Sequence, residues 1–472
     1  MKSNNIKALK SGIWYAVGNF ISKGMIFLVS PIFNRLLSKG EVGDFSNFSA
    51  WITILAIIVT LDLHSAVSVA RFDYKNELDN FIASALVLGS IVTFFFYVIA
   101  IVWADDILNV IGFNNYEFHI AFIYFLVCPA LQMFQIKSRI EYKYVLSTFM
   151  SIFSSFLATG ISLFCVLHFG DRLKARVIGN YVPLIFLNII LYLFFLSKSK
   201  NISLKYWKYI LVISVPLAIH LLAGNILNLS DRIMIKKICG NEAAGMYSVA
   251  YSCGMIISVM WAAINGAWSP WAYEQMDSKQ FDILKKAEKY LVAVWGIFVF
   301  VVMLFGPELL LFMGGEKYVD AKNVIPPVMA AYGIQAIYTF YCNIEIYSKK
   351  QKYIAINTSI VSIINIILNY YYIYKIGYIA AAFTTLLGYI LMLVMHMFVV
   401  RCLGRGKWYD AGYNIGFAFL FVFVMGGMLW LYKFNVLRYI FICICVVIGL
   451  IIGFLKREFI LKMIIKYKHV IR

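Results

Sequence analysis

Fourteen apolar stretches of about 21 residues each follow one another along this 472-residue chain, and they dictate its solvent. A helix rising 1.5 Å per residue needs roughly 20 apolar residues to cross the hydrocarbon of a bilayer. The stretches lie near residues 11–32, 46–70, 80–104, 117–137, 144–168, 177–197, 209–229, 244–268, 290–313, 325–347, 353–374, 378–400, 411–432 and 437–455. Between them only about 12 residues remain per loop or tail, too few for a folded aqueous domain. No GxxxxGK[ST] phosphate loop occurs, so a nucleotide-driven pump within this chain is excluded. With 62% apolar and 14% charged residues, far from the balance of a soluble domain, the expected fold is an all-α polytopic membrane protein of about 14 transmembrane helices.

Lysines and arginines predict the orientation. Of the 42, 28 lie in the tails, loops and span ends on the side of the termini and 13 on the opposite side; Lys23, midway along span 1, completes the count. Both termini are therefore expected in the cytoplasm. The net charge of +19 then faces anionic lipid, which makes nucleic acid a poor reading of the high pI. Residues 456–472 (KREFILKMIIKYKHVIR) read as a basic amphipathic tail on the membrane surface. Lys2, Lys7 and Lys10 precede an apolar run too long for a cleavable signal. The eight cysteines show neither a disulfide framework nor metal-ligand spacing, and no cofactor or metal is expected.

An internal repeat organises the spans. At an offset of 202 residues, Arg35 falls on Lys237, Gly43 on Gly245, Phe45 on Tyr247 and Ser46 on Ser248. Span 1 thus maps onto span 7 and span 2 onto span 8. Two six-helix bundles in parallel orientation follow, related by a pseudo-two-fold repeat: residues 1–200 and 201–405. Spans 13 and 14 (406–455) and the tail (456–472) are appended. Such halves suit alternating access by rocking about a central cavity.

The stretch Arg35-x-Leu37-x4-Val42-Gly43-x-Phe45-Ser46 and its counterpart Leu229-Ser-Asp-Arg-Ile-Met-Ile235-x8-Ala244-Gly-Met-Tyr-Ser-Val-Ala-Tyr251 resemble the paired half-signatures of polysaccharide exporters. Gly377-Tyr-Ile-Ala-Ala-Ala382 resembles a further feature of that group. These are the O-antigen (Wzx-type) and capsule flippases of the multidrug/oligosaccharidyl-lipid/polysaccharide exporter superfamily. The likeness extends over about residues 8–400. It implies a flippase of the bacterial inner membrane that moves an undecaprenyl-pyrophosphate-linked oligosaccharide from the cytoplasmic to the outer leaflet. It also implies a glycan polymerase of the same pathway as a partner. The family more often has twelve spans.

Lys23 is a cation deep in span 1, beyond easy snorkelling, and an anionic pyrophosphate needs such a group. The competing reading is a structural pair with Asp62. The resemblance also places a basic residue in the first span of related lipid-carrier flippases. Arg71 and Arg139, near the cytoplasmic ends of spans 2 and 4, are further pyrophosphate candidates. Asp62, His64 and His220 are intramembrane titratable groups and hence candidates for ion coupling. Helical geometry points Asp62 roughly 160° away from His64, at about 100° per residue, so one site is not expected to use both.

Three stripes at spacings of 4 and 3 mark polar helix faces. Span 8 carries Tyr247, Tyr251, Gly254, Ser258, Trp261, Asn265 and Trp268; span 11 carries Thr358, Ser362, Asn365, Asn369 and Tyr372; span 4 carries Cys128, Gln132, Gln135, Arg139 and Tyr142. Aromatic faces beside amides and hydroxyls suit sugars, so Tyr251, Ser258, Trp261, Asn265, Asn365 and Asn369 are the expected glycan path. A knobs-into-holes helix seam would give the same spacing. Glu345 is expected to pair with Lys349 one turn on. Pro129 and Pro216 are candidate kinks.

Two other functions compete. A multidrug cation exporter would require a cavity dominated by carboxylates, whereas the deep spans offer Lys23 against Asp62. A glycan polymerase would require a sizeable aqueous loop, and the longest, about Pro270 to Lys289, faces the cytoplasm. Neither fits as well as a flippase, which makes and breaks no bond.

Overall fold

The computed structural model describes residues 24–455 apart from Ile26. The described part is helical, with no strand among the described residues. After α1 (residues 27–36) come α2 (Lys39–Thr60), α3 (Ser65–Asp73), α4 (Leu78–Val102), α5 (Ala104–Ile111), α6 (Asn115–Val127), α7 (Pro129–Ile140), α8 (Tyr144–His168) and α9 (Arg172–Lys198). Then follow α10 (Leu204–Cys239), α11 (Asn241–Asp277), α12 (Phe281–Leu304) and α13 (Gly306–Gly314). A 3-10 turn, Glu316–Val324, leads into α14 (Ile325–Tyr347), α15 (Lys352–Ile376), α16 (Ala380–Cys402), α17 (Ala411–Leu431) and α18 (Asn435–Leu455).

Among the described residues, eleven helices are long and apolar enough to cross a membrane, α6 and α7 counting as one. They correspond to spans 2–9 and 11–13. Span 10 is α14, in which 18 of 23 residues are buried, so neighbouring helices rather than lipid surround it. Span 14 falls within α18, and most of span 1, with Lys23, lies outside the described residues, as does the tail 456–472. The protein is a multi-pass integral membrane protein. Its outer belt is apolar, with Phe94, Phe156, Ile190 and Phe423 exposed.

Local chemistry sets the helix ends. Ser38 and Glu41 close a capping box on α2: the Glu41 N–H reaches Ser38 Oγ at 3.2 Å and the Ser38 N–H reaches Glu41 Oε2 at 2.6 Å. Asp171 caps α9 by accepting from the Lys174 N–H at 3.0 Å. Pro129 occupies the first position of α7, where its missing N–H costs nothing. Three expectations need correction here. Span 2 is not one helix, because Leu61 and Asp62 both adopt φ of +51° and break α2 from α3. The expected loop from Pro270 to Lys289 is mostly helix, with α11 running on through Pro270 to Asp277. Glu345 does not pair with Lys349; it meets His396 Nδ1 at 2.7 Å, both side chains fully buried.

Helices α2–α9 pack chiefly with one another, and so do α11–α18. The two groups meet where α2 lies on α11 and along α10, which touches both. Close approach of α2 to α11 requires glycine: a Cβ at Gly43 or at Gly245 would overlap backbone of the opposite helix. One turn on, Ser46 Oγ and Ser248 Oγ are 2.7 Å apart. Positions equivalent in the repeat thus touch each other, as they must beside a two-fold axis.

Around this contact one face of the molecule is sealed. Asn34 Nδ2 donates to the Met313 carbonyl at 2.9 Å, Lys236 Nζ meets Asp44 Oδ1 at 2.8 Å, and Asn241 Nδ2 donates to Asp44 Oδ2 at 3.0 Å. At the opposite face, the first turns of α10 fasten to the first group. Tyr206 donates to Glu77 and Tyr209 to Asp73, each at 2.5 Å, and Trp207 Nε1 donates to the Ser84 carbonyl at 3.0 Å. The appended helices are held just as firmly. Arg438, 2% exposed, forks onto both oxygens of Glu308 on α13 at 2.5 Å each.

Candidate functional site

Three chambers lie within the first group and between the groups. The chamber toward the open face holds about 660 Å³ and is lined by His64, Ser65, Ser68 and Arg71, by Gln132, Gln135 and Arg139 of α7, and by Leu217 and Leu221 of α10. The stripe read from span 4 therefore does face a cavity, and it brings Arg71 and Arg139 to one wall with His64.

The break after α2 overturns the expected separation of Asp62 from His64. With two left-handed residues before α3, His64 Nε2 comes within 3.3 Å of Asp62 Oδ1, and the Ser65 hydroxyl donates to Asp62 Oδ2. Asp62 is buried, and both its carboxylate oxygens have partners, His64 and Ser65. His220 sits on α10, but its side chain is outside the described part.

The second chamber, about 240 Å³, lies under the seal between the groups, lined by Ser30, Asn34, Ser46, Ser49 and Thr53 on one side and Arg232, Ser248 and Ser252 on the other. Arg176 of α9 reaches it as well. The third chamber, about 350 Å³, sits inside the first group between α1, α2, α8 and α9. It shares Ser30, Phe45, Ser49 and Arg176 with the second, and adds Ser154, Ser155, Thr159, Ser162 and Asn180. No carboxylate appears in the lining of any of the three.

The expected glycan path lies elsewhere. Tyr251 (2% exposed) accepts from the Tyr332 hydroxyl at 3.0 Å, and Trp261 (4%) packs on Trp295 and Phe340 with ring centres 5.1 and 5.3 Å away. Asn265 Oδ1 accepts from Asn343 Nδ2 at 3.1 Å, while the half-buried Ser258 lines none of the chambers. Asn365 and Asn369 are buried between α10 and α16. The stripes of spans 8 and 11 are helix seams, because a 4,3 spacing describes any face that meets a neighbour.

The seam around Asn369 has a charged centre. Asp231, 1% exposed, accepts from Tyr247 at 2.6 Å, from Asn369 Nδ2 at 2.9 Å and from Thr385 at 2.9 Å. Its neighbour Arg232 turns the other way, over the ring of Tyr251 at 4.8 Å, toward the second chamber. Arg176 was missed altogether, being counted as a loop cation. The hydroxyls of span 5 carried a legible signal: Ser147, Ser151, Ser154 and Ser162 repeat at helical spacing.

Fold and chambers define a membrane transporter built from two helical groups that close on one face. Comparison with known proteins agrees. The chain matches the family model described as polysaccharide biosynthesis protein over residues 8–276, and the MatE model over residues 216–371. It belongs to the polysaccharide biosynthesis protein family. "Lsg locus putative protein 1" of Haemophilus influenzae is 23% identical over 378 residues, spanning 74% of this chain and 87% of that protein. Among solved structures, the lipid II flippase MurJ in an inward closed conformation superposes with a TM-score of 0.66 at 16% identity, over 95% of this chain and all of that one. An inward-facing multidrug resistance transporter of the MATE family, described as of the MOP superfamily, gives 0.58 at 13% identity, over 84% of this chain and 93% of that one.

Proposed function

We propose that this protein is a flippase for an undecaprenyl-pyrophosphate-linked oligosaccharide, working by alternating access between its two halves. One observation carries the reading: the chambers offer guanidinium groups, hydroxyls and amides, and no carboxylate lines them. That surface recognises an anionic, hydroxyl-rich molecule and repels organic cations. In this reading the open face is cytoplasmic and the seal is outer, consistent with the excess of basic residues on the side of the termini. Arg71 and Arg139 receive the pyrophosphate at the open mouth, Lys23 holds it further in, and the lipid chain stays in the bilayer. Rocking of the two halves then parts the α2–α11 contact and opens the other face. Asp62, His64 and His220 remain the candidates for coupling that motion to an ion gradient.

The test is reconstitution in liposomes with an undecaprenyl-pyrophosphate oligosaccharide, following the appearance of sugar on the far face. Arg139→Ala should slow transfer about tenfold, the loss of one charge-assisted contact, with the protein still folded. The match of residues 216–371 to the MatE model favours a second reading, a cation antiporter. Efflux of an organic cation without oligosaccharide transfer would decide for it.

A further inference from the structure

The seal closes on two short helices that the repeat relates. At the offset of 202 residues, positions 104–112, which hold α5 and the glycine after it, fall on positions 306–314, which are α13. Each follows a span-length helix, α4 or α12, and ends in carbonyls for which the helix itself has no donors. Both ends are capped from the other half. Asn34 Nδ2 of the first half donates to the Met313 carbonyl of α13 at 2.9 Å. Lys236, the equivalent of Asn34 at the same offset, donates from Nζ to the Gly112 carbonyl after α5 at 3.2 Å. Met313 corresponds to Ile111, so the two acceptors match to within one residue. Arg35, beside Asn34, adds a bond from Nη2 to the Leu311 carbonyl at 3.3 Å, and its charge meets the negative end of the α13 dipole.

Beyond these caps the symmetry ends. Glu308 of α13 is forked by Arg438 and receives the Tyr439 hydroxyl at 2.9 Å. Arg438 also donates to the Leu304 carbonyl at 3.2 Å, where α12 passes into α13, and Lys322 Nζ, on the 3-10 turn after α13, donates to the Tyr432 carbonyl at 2.9 Å. Tyr432, Arg438 and Tyr439 all belong to the turn between α17 and α18 and the start of α18. Asp106, the equivalent of Glu308 on α5, is exposed and has no ion pair among the described residues. One cap therefore rests on a helix fixed from behind, and the other on a helix packed chiefly against α4. A cap supplied by the opposite half exists only while the halves touch, so it stabilises the sealed arrangement and contributes nothing to the parted one. We propose that the gate on the sealed face is this exchange of helix caps, and that Arg438 is a positioning residue that holds α13 where Asn34 can reach it. The appended helices thereby set where the gate closes. The proposal rests on the alternating-access reading above, with the seal at the outer face.

The experiment follows the full-length protein in intact spheroplasts, where a membrane-impermeant maleimide meets only the outer face. Thr53→Cys places the reporter in the chamber under the seal, and its labelling rate, above that of the native cysteines, follows the outward-open fraction. Asn34→Ala and Lys236→Met should each raise that rate about fivefold, as the loss of one hydrogen bond from the closed state predicts. Arg438→Gln should raise it by a similar factor. In combination the positioning role shows itself. Arg438→Gln added to Asn34→Ala should change the rate by less than about twofold, because the contact it served is already gone, whereas added to Lys236→Met it should multiply. If Arg438→Gln fails to fold, Glu308→Leu with Arg438→Met removes the pair without stranding a charge and takes its place in both combinations. Wild-type labelling rates in Asn34→Ala and Lys236→Met overturn the exchanged caps, and multiplication of the Arg438→Gln and Asn34→Ala effects overturns the positioning role. Rapid labelling of Thr53→Cys in the otherwise wild-type chain removes the outer placement of the seal and the gate with it. Transfer of lipid-linked oligosaccharide in liposomes is scored separately: its persistence beside unchanged labelling removes only the gate, and its absence beside the expected labelling removes only the flippase reading.

Discussion

The two helical groups use polar residues in opposite ways. In the first, serines, threonines and Arg176 surround open volume beside a tight approach of α8 to α9, where a Cβ at Gly179 would overlap the Ser162 backbone. In the second, Tyr247, Tyr251 and Asn369 meet Asp231 of α10 or Tyr332 of α14 across tight seams, and their hydrogen bonds run from helix to helix. Similar sequence periodicity thus gives a hollow in one place and a glue in the other. The difference lies in side-chain volume: α8 places small hydroxyls against α9, while α11 places tyrosine and tryptophan against α14. Large rings fill the gap between helices, and serines do not.

That contrast can be broken by substitution. Trp261→Ala opens a void in a close-packed seam and should cost about 3–5 kcal/mol, read as a steep fall in melting temperature. Ser154→Ala in the hollow group should leave stability nearly unchanged, so equal losses for both would erase the distinction. Asp231→Leu strands the donors of Tyr247, Asn369 and Thr385; at about 1–3 kcal/mol for each orphaned donor, it should abolish folding, whereas Asp231→Asn keeps some of the bonds and should be milder. Recovery of Asp231→Leu as a monodisperse, wild-type-like protein would count against the glue.

The α2–α11 contact gives a sharper comparison between the sealed and open faces. Gly245→Ala should disfavour the sealed arrangement, since its methyl overlaps the Lys39 carbonyl. The reporter is a cysteine pair, Ser46→Cys with Ser248→Cys, at positions whose hydroxyls are 2.7 Å apart. The pair should cross-link readily in an otherwise wild-type chain and stop transfer until reduced; adding Gly245→Ala should lower the yield. The smallest effect is expected at the exposed cap of α17. Lys289 and the Tyr413 N–H hold the Asp410 carboxyl below its ordinary range. Because the folded group is the stronger acid, its contribution is present above the unfolded value near pH 4 and fades as pH falls through the folded value. Asp410→Asn should therefore lower the melting temperature slightly at pH 7, by an amount that shrinks as the pH is lowered below 4.

Much of this was legible along the chain. Apolar runs located eleven spans, with ends that differ from the helices by up to about ten residues, since the cost of exposing a backbone amide to lipid leaves helix as the way through. The repeat at 202 residues matched span 2 to span 8, and the structure sets the equivalent Gly43 and Gly245, and Ser46 and Ser248, against each other. Gln132, Gln135 and Arg139 were recognised as one face by their helical spacing, and only the structure set Arg71 beside them. What spacing could not reveal was which polar face looks into space and which into a neighbour. Tyr251, Trp261 and Asn369 read like a sugar path and proved to be interior seams; Arg176 read like a loop cation and proved to stand over a pocket. Asp62 and His64, set on opposite sides by ideal helix geometry, were joined by two left-handed residues that no pattern announced.

The sequence by itself determined the solvent, the helices and the pairing of the halves, because these follow from local hydrophobicity and from repetition. Only the tertiary structure decided where the hollow lies and which cations line it, because a cavity is the volume left between helices and depends on every side chain around it.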